Sequence, residues 1–124
     1  MSHPHVLEVD LGPGVRAGFT TRAGGVSPAP WASLNLGLGV EDDAARVREN
    51  RARASTWLGR PVHFSTQVHG TGVAVVAAPV GAAERDAGAP DTVGEADALV
   101  AADGAGLGVL VADCVPVLLA DARA

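Results

Sequence analysis

LGVLVADCVPVLLAD, residues 107–121, is the most apolar stretch of the chain and contains its only cysteine, Cys114. Aliphatic residues lie on both sides of Asp113 and Cys114, a pattern typical of a strand covered on both faces. The run is therefore predicted to be mostly buried in a sheet. Pro116 lacks a backbone N–H, so the backbone should break or bulge around the Asp113–Cys114 pair. A thiol at such a break could act as a nucleophile or a metal ligand. A buried structural cysteine is the ordinary alternative.

Length and composition restrict the class of protein. The 124 residues are 48% hydrophobic and 3% aromatic, which predicts one domain, or part of one, with an aliphatic, alanine-rich core. All nine basic residues are arginine and the formal net charge is -5, which argues against a nucleic-acid surface. The N-terminus lacks a signal-peptide pattern, and no apolar run reaches the ~20 residues of a membrane span. We therefore expect a soluble, cytoplasmic protein without a membrane partner.

Upstream of the apolar run, the pattern predicts several short strands and one helix. Residues 43–58 favour a helix that begins at an aspartate cap and ends at Gly59. Residues 20–40 predict a long loop, either ordered or disordered, with apolar residues that could anchor it to a core. Residues 79–96 predict a surface excursion with little structure of its own. Strands are predicted within 6–10, 14–21, 62–78 and 97–101, and the Gly-Pro-Gly turn signal at 12–14 favours a hairpin of the first two.

Two polar residues in the first half of the chain are candidates for a site. Arg22, followed by Ala-Gly-Gly, could present a guanidinium beside exposed amides as an anion site; a solvated arginine before a glycine turn is the alternative. Asn50 falls on or near the buried side of the predicted helix. A buried amide must find partners, so Asn50 either braces a neighbouring loop or points into a site.

His69 and Cys114 could come together across adjacent strands, and two kinds of chemistry then compete. Imidazole and thiolate both suit zinc, and they equally suit a base and a nucleophile. A catalytic zinc site usually takes three protein ligands, and the sequence supplies two obvious ones. His3 or His5 could provide a third, and Asp113 could ligate or orient His69. The residue pattern alone indicates nothing more specific than an α+β domain with a possible Cys/His site.

Six blocks of sequence, in order and suitably spaced, resemble one family. They are GFTTRAGGVS (18–27), SLNLGLGVEDD (33–43), VRENR (47–51), QVHG (67–70), EADALV (95–100) and LGVLVADCVPVLLAD (107–121). Together they resemble the multicopper polyphenol oxidase, or laccase-domain, family, whose members are now understood as purine nucleoside phosphorylases. A bacterial branch of that family includes the peptidoglycan-editing factor.

The resemblance implies an α+β fold, a layered α/β sandwich with mixed sheets and flanking helices. It implies zinc, with copper as the older assignment, bound by one cysteine and two histidines. His69 and Cys114 match two of these metal ligands and carry the catalytic role, while Arg22 and Asn50 match positions at the substrate or phosphate pocket. The reaction implied for the full-length form is phosphorolysis of adenosine, inosine, guanosine or methylthioadenosine, with some adenosine deamination. Peptidoglycan editing is an implied physiological role.

The sequence departs from the family after residue 121. The family continues with an H-A-G-W-R-G block whose histidine is the third ligand, and this sequence ends before such a block. We therefore expect residues 1–124 to form the N-terminal portion of a single domain, with the C-terminal segment as its partner. We expect weak zinc binding, marginal stability and an exposed apolar edge. A metal-free Cys/His hydrolase and a non-catalytic nucleoside-binding fragment are the alternatives.

Overall fold

The computed structural model describes residues 3–77, 92–102 and 104–121, which form one helix and several small sheets. The predicted α+β class is confirmed, with one antiparallel and two parallel sheets among the described residues. The chain divides into two compact units, residues 1–59 with 117–124 and residues 60–116. The elements in chain order are β1 (Val6–Val9), β2 (Ala17–Thr20), α1 (Ala44–Leu58), β3 (Val62–Thr66), β4 (Val73–Val75), β5 (Thr92–Glu95), β6 (Ala98–Val100) and β7 (Gly106–Leu107).

The first unit begins with the predicted hairpin. β1 and β2 are antiparallel, with Val6 opposite Thr20. In the connecting turn, Gly12 and Gly14 have φ angles of 110° and 77°, a left-handed backbone that glycine adopts without a Cβ clash. The Gly-Pro-Gly signal in the sequence therefore marks the turn correctly.

The helix α1 forms where the sequence predicts it. The side chain of Asp43 caps the first turn by accepting the backbone N–H of Ala45 at 2.9 Å. Gly59, with φ 84°, ends the helix in the left-handed conformation that favours glycine. Val47 and Ala54 are buried one above the other along one stripe, so this face packs into the aliphatic core that the composition predicts.

The second unit contains only parallel strand pairs among its described residues. Its three-stranded sheet has the order β5-β3-β7, and a separate two-stranded sheet pairs β4 with β6. The central strand β3 buries Val62, His63 and Phe64 in succession. A strand flanked on both edges and covered on both faces carries such a continuous buried run, which is why β3 is the core of this unit.

The prediction that residues 107–121 are mostly buried in a sheet is wrong. Only Gly106–Leu107 pairs, with β3, and the chain beyond has no strand among the described residues. Val115 and Leu119 are 85% and 89% exposed. An aliphatic run is buried only where another element covers it, and beyond Leu107 no described strand pairs with this run. The expected exposure of apolar surface is confirmed.

The predicted excursion over residues 79–96 is corrected at its end, because Thr92–Glu95 forms β5 and pairs with β3. Residues 79–91 of that region lie outside the described residues. The strand prediction for 97–101 is confirmed by β6. Within the described residues, no helix combines the length and apolarity needed to cross a membrane.

Candidate functional site

His69 lies in the loop that follows β3. The side chain is exposed, and the backbone has φ 58°, the one positive φ among the described residues that are not glycine. This left-handed conformation is uncommon outside glycine, although histidine adopts it more readily than most residues. An exposed side chain has few packing contacts to impose such a backbone. Hydrogen bonds to the loop backbone therefore have to stabilise this conformation.

Asp97 supplies these hydrogen bonds. Its carboxylate accepts three consecutive backbone N–H groups: that of Val68 at 3.1 Å, that of His69 at 2.9 Å and that of Gly70 at 2.7 Å. The N–H of Gly70, followed by those of His69 and Val68, holds the pKa of the Asp97 carboxyl below its ordinary value, while desolvation acts in the opposite direction.

No sequence pattern indicated a role for Asp97. It lies in the EADALV block, between two strands, and a carboxylate at the end of a strand was the only signal that could have indicated it. Its partners are backbone amides more than 25 residues upstream. Every residue except proline has a backbone N–H, so such partners leave no pattern of residue types in a sequence.

Cys114 is an exposed free thiol. It follows the only strand of the apolar run, in a stretch of bends, and the alternative of a buried structural cysteine is therefore wrong. Gln67 holds the start of this stretch, because its side-chain amide donates to the carbonyl of Leu110 at 2.8 Å. The block that carries His69 and the run that carries Cys114 are thus joined by one direct hydrogen bond within the second unit.

The described residues contain no group of three or more His, Cys, Asp or Glu side chains that could hold a metal ion. His69 and Cys114 offer one imidazole and one thiolate, which are the donor types that zinc prefers. The donor chemistry therefore fits zinc, and the number of ligands that the described residues assemble falls short of the usual three. His3, His5 and Asp113, the candidates for a third ligand, complete no such group.

Arg22 is exposed, and its Nε donates to the carbonyl of Ala32 at 3.1 Å. The predicted anion site also needs backbone amides, but two of the three that follow are already engaged. Ala23 N–H donates to Thr21 Oγ1 and Gly25 N–H donates to Ser33 Oγ. Any anion in this region would therefore depend on the guanidinium more than on the backbone.

Asn50 braces the long loop, as the first of its two predicted alternatives states. It is fully buried. Its Oδ1 accepts the N–H of Val26 at 2.9 Å, and its Nδ2 donates to Ser27 Oγ at 2.9 Å and to the carbonyl of Asn35 at 2.8 Å. One side chain thus ties both halves of the loop to α1. Arg22 and Asn50 belong to the same first unit: Arg22 lies on this loop, and Asn50 contacts it from α1.

Asp42, just before α1, belongs to the same hydrogen-bond network. Its Oδ2 accepts the hydroxyl of Ser27 and the side-chain amide of Asn35, and its Oδ1 accepts the N–H of Asp43. The hydrogen bond from Ser27, followed by that from Asn35, holds the pKa of the Asp42 carboxyl below its ordinary value. The loop is therefore held by an ionised carboxylate as well as by Asn50.

Similarity to known proteins covers most of the chain. The sequence profile of the family described as multi-copper polyphenol oxidoreductase laccase matches residues 16–124. Purine nucleoside phosphorylase ORF3 of Streptomyces griseus is 53% identical over 107 residues, which cover 83% of this chain and 41% of that protein. Purine nucleoside phosphorylase SCO2081 of Streptomyces coelicolor is 49% identical over 112 residues, covering 87% and 43%. The chain therefore spans about two fifths of the length of these relatives.

Two solved structures share the fold over a similar part. YlmD from Geobacillus stearothermophilus is 38% identical with a TM-score of 0.58, and the match covers 72% of this chain and 34% of that one. NMB0706 from Neisseria meningitidis is 35% identical with a TM-score of 0.55, covering 77% and 39%.

Proposed function

This chain belongs to the multi-copper polyphenol oxidoreductase laccase family, and from that premise we propose that it takes part in the phosphorolysis of purine nucleosides. The observation that carries the proposal is the 53% identity to a relative named purine nucleoside phosphorylase. Because the chain spans 41% of that relative, the activity of the whole protein is part of the proposal.

The proposed substrates are inorganic phosphate and adenosine, inosine, guanosine or methylthioadenosine. In phosphorolysis a phosphate oxygen bonds to the anomeric carbon of the ribose, and the bond from that carbon to the purine nitrogen breaks. The purine leaves with the electron pair and takes up a proton. The reaction therefore needs a cation beside the phosphate and groups that stabilise charge on the leaving base.

Arg22 is the residue proposed to bind the phosphate. A guanidinium offers several donors in a planar fork that matches phosphate oxygens. The hydrogen bond from Arg22 Nε to the carbonyl of Ala32 restricts the orientation of that plane, and the terminal nitrogens are the donors proposed for phosphate. Asn50, which is fully buried, acts by bracing the loop on which Arg22 lies.

His69 and Cys114 are proposed as two ligands of a zinc ion. Their donor atoms suit zinc, and both side chains are exposed and so accessible to a metal and a substrate. A zinc ion in such a site supplies Lewis-acid chemistry, which is also what the proposed deamination of adenosine requires. Asp97 holds the backbone of His69 through the hydrogen bond from the His69 N–H.

The test is an assay of the chain together with the C-terminal segment expected as its partner, supplied with inosine, inorganic phosphate and zinc, in which release of hypoxanthine is measured. We expect turnover that depends on phosphate and that is lost in His69→Ala and Cys114→Ala. Arg22→Ala should raise the KM for phosphate, and Arg48→Ala, an exposed arginine on α1, is the matched control. With adenosine in place of inosine, inosine formation without phosphate reports the deaminase reaction.

The outcomes also separate the alternatives. Turnover that survives chelation of zinc but not Cys114→Ala would favour the metal-free Cys/His hydrolase. Binding of inosine without any turnover would favour a non-catalytic nucleoside-binding protein. Either result would remove zinc-dependent phosphorolysis as the function of this chain.

A further inference from the structure

The loop from Val68 to Gly70 directs three successive backbone N–H groups at one carboxylate. Successive amides can converge on one anion where right- and left-handed backbone conformations follow each other, an arrangement known as an anion-binding nest. His69, with φ 58°, is the left-handed member. The side chain of Asp97 is the anion that fills this nest, so a substrate phosphate could enter it only by displacing Asp97.

The backbone of Asp97 holds the other end of the same loop. Its N–H donates to the carbonyl of Gly72 at 3.1 Å, and the N–H of Ala98 donates to the same carbonyl at 3.3 Å. Immediately before Asp97, Ala96 N–H donates to the carbonyl of Thr66 at 3.1 Å, which continues the pairing of β5 with β3. The carboxylate is therefore carried on a segment that is itself fixed to the sheet core.

We propose that Asp97 is a positioning residue for His69: its carboxylate locks the left-handed backbone of His69 and thereby sets the direction of the imidazole. This inference rests on the proposed function, in which His69 is a zinc ligand. Exposed side chains such as His69 cannot be oriented by packing, so backbone hydrogen bonds have to do it. Partners of this kind outside the ligand set hold ligands in place, and their loss typically costs about 10–100-fold in metal affinity.

The first measurement needs no metal. Amide hydrogen exchange is followed by NMR in the 124-residue chain and in Asp97→Asn and Asp97→Ala. Loss of a charge-assisted hydrogen bond should raise exchange of the amides from Val68 to Gly70 by roughly tenfold, more in the alanine variant. Exchange in β3 should stay unchanged. Asp10→Asn is the matched control, because Asp10 also accepts a backbone N–H, that of Gly12 at 2.9 Å.

The second measurement uses cobalt(II) as a spectroscopic substitute for zinc. Its thiolate absorption band reports ligation by Cys114, and we expect Asp97→Asn to weaken cobalt binding about tenfold while Asp10→Asn leaves it unchanged. If Asp97→Ala does not fold, Asp97→Asn carries the test, because it keeps the shape of the side chain and one acceptor oxygen.

The results distinguish this proposal from the proposed function. Unchanged exchange at Val68–Gly70, or an equal rise throughout the second unit, would overturn the positioning role whatever the metal data show. Faster amide exchange confined to Val68–Gly70, together with unchanged cobalt affinity, would overturn it as well. Absence of cobalt binding in the unsubstituted chain would instead contradict the zinc site of the proposed function, and the positioning role would fall with it because it depends on that site.

Discussion

The side-chain amide of Gln67 donates a hydrogen bond to the carbonyl of Leu110 at 2.8 Å. Gln67 precedes His69 by two residues, and Leu110 precedes Cys114 by four. This bond lies just beyond the point where β7 stops pairing with β3, so it continues the attachment of the apolar run after the sheet has ended. Two blocks of sequence that carry the proposed zinc ligands are held together by it.

Gln67→Ala should therefore loosen the run after β7. A neutral hydrogen bond contributes about 1 kcal/mol, so its loss should raise the rate of proteolysis within residues 109–112 about fivefold. Limited digestion followed by mass spectrometry locates the cut. Ser65→Ala is the control, because it removes a bond from β3 to the carbonyl of Ala96 on the other side of the sheet. Equal cleavage in both variants would contradict a local role for Gln67.

Asn50→Ala should lower the free energy of unfolding of the first unit by about 2–3 kcal/mol. The substitution leaves the N–H of Val26 and the carbonyl of Asn35 without the partner they have in the structure. Both tryptophans of the chain, Trp31 and Trp57, lie in this unit, so fluorescence during urea unfolding reports on it. Thr56→Ala, on the exposed side of α1, should change stability by less than about 0.5 kcal/mol. Similar losses in both variants would argue against the bracing role.

Gly25→Ala should destabilise the loop by about 1–3 kcal/mol because the added methyl group has no room. A Cβ at Gly25 would overlap the carbonyl oxygen of Ser33 and lie 2.5 Å from the Cα of Leu34, and backbone atoms cannot rotate away. A Cβ added at Gly39, in the same loop, would meet no atom within 4 Å, so Gly39→Ala should be neutral or slightly stabilising. The two variants are compared by the same fluorescence measurement. If Gly25→Ala does not lower the free energy of unfolding, the loop packs more loosely than the structure indicates.

Local signals allowed much of the first unit to be predicted from the sequence. An aspartate cap and a terminal glycine define α1, a Gly-Pro-Gly turn defines the hairpin, and the rule that a buried amide needs partners anticipates Asn50. The role of Asp97 could not be predicted, because its partners are backbone amides distant in sequence. The burial predicted for residues 107–121 from their composition was wrong because burial depends on a covering element, which the composition of a run does not reveal.

The first unit should lose stability in acid through Asp42. Its carboxyl pKa is lowered from 3.8, chiefly by the hydroxyl of Ser27 and then by the amide of Asn35. A group whose pKa is lower in the folded state stabilises the fold above the unfolded value and ceases to do so as the pH falls through the folded value. Stability should therefore decline from about pH 4 downwards, and Asp42→Asn should flatten that decline. Urea midpoints measured by tryptophan fluorescence at several pH values test this. An equally steep fall of the midpoint with decreasing pH in the variant would refute it.

Leu119→Ser should leave the free energy of unfolding within about 0.5 kcal/mol of the original value, because the side chain is 89% exposed. The same change at Leu34, which is 6% exposed, should cost about 2–5 kcal/mol. Val115 and Val117 are also largely exposed, and an uncovered apolar stretch promotes association between molecules. Leu119→Ser should therefore reduce the apparent mass measured by sedimentation, whereas Leu34→Ser should not. A loss of stability at Leu119 as large as that at Leu34 would show that this residue is covered in solution, and that the run is buried after all.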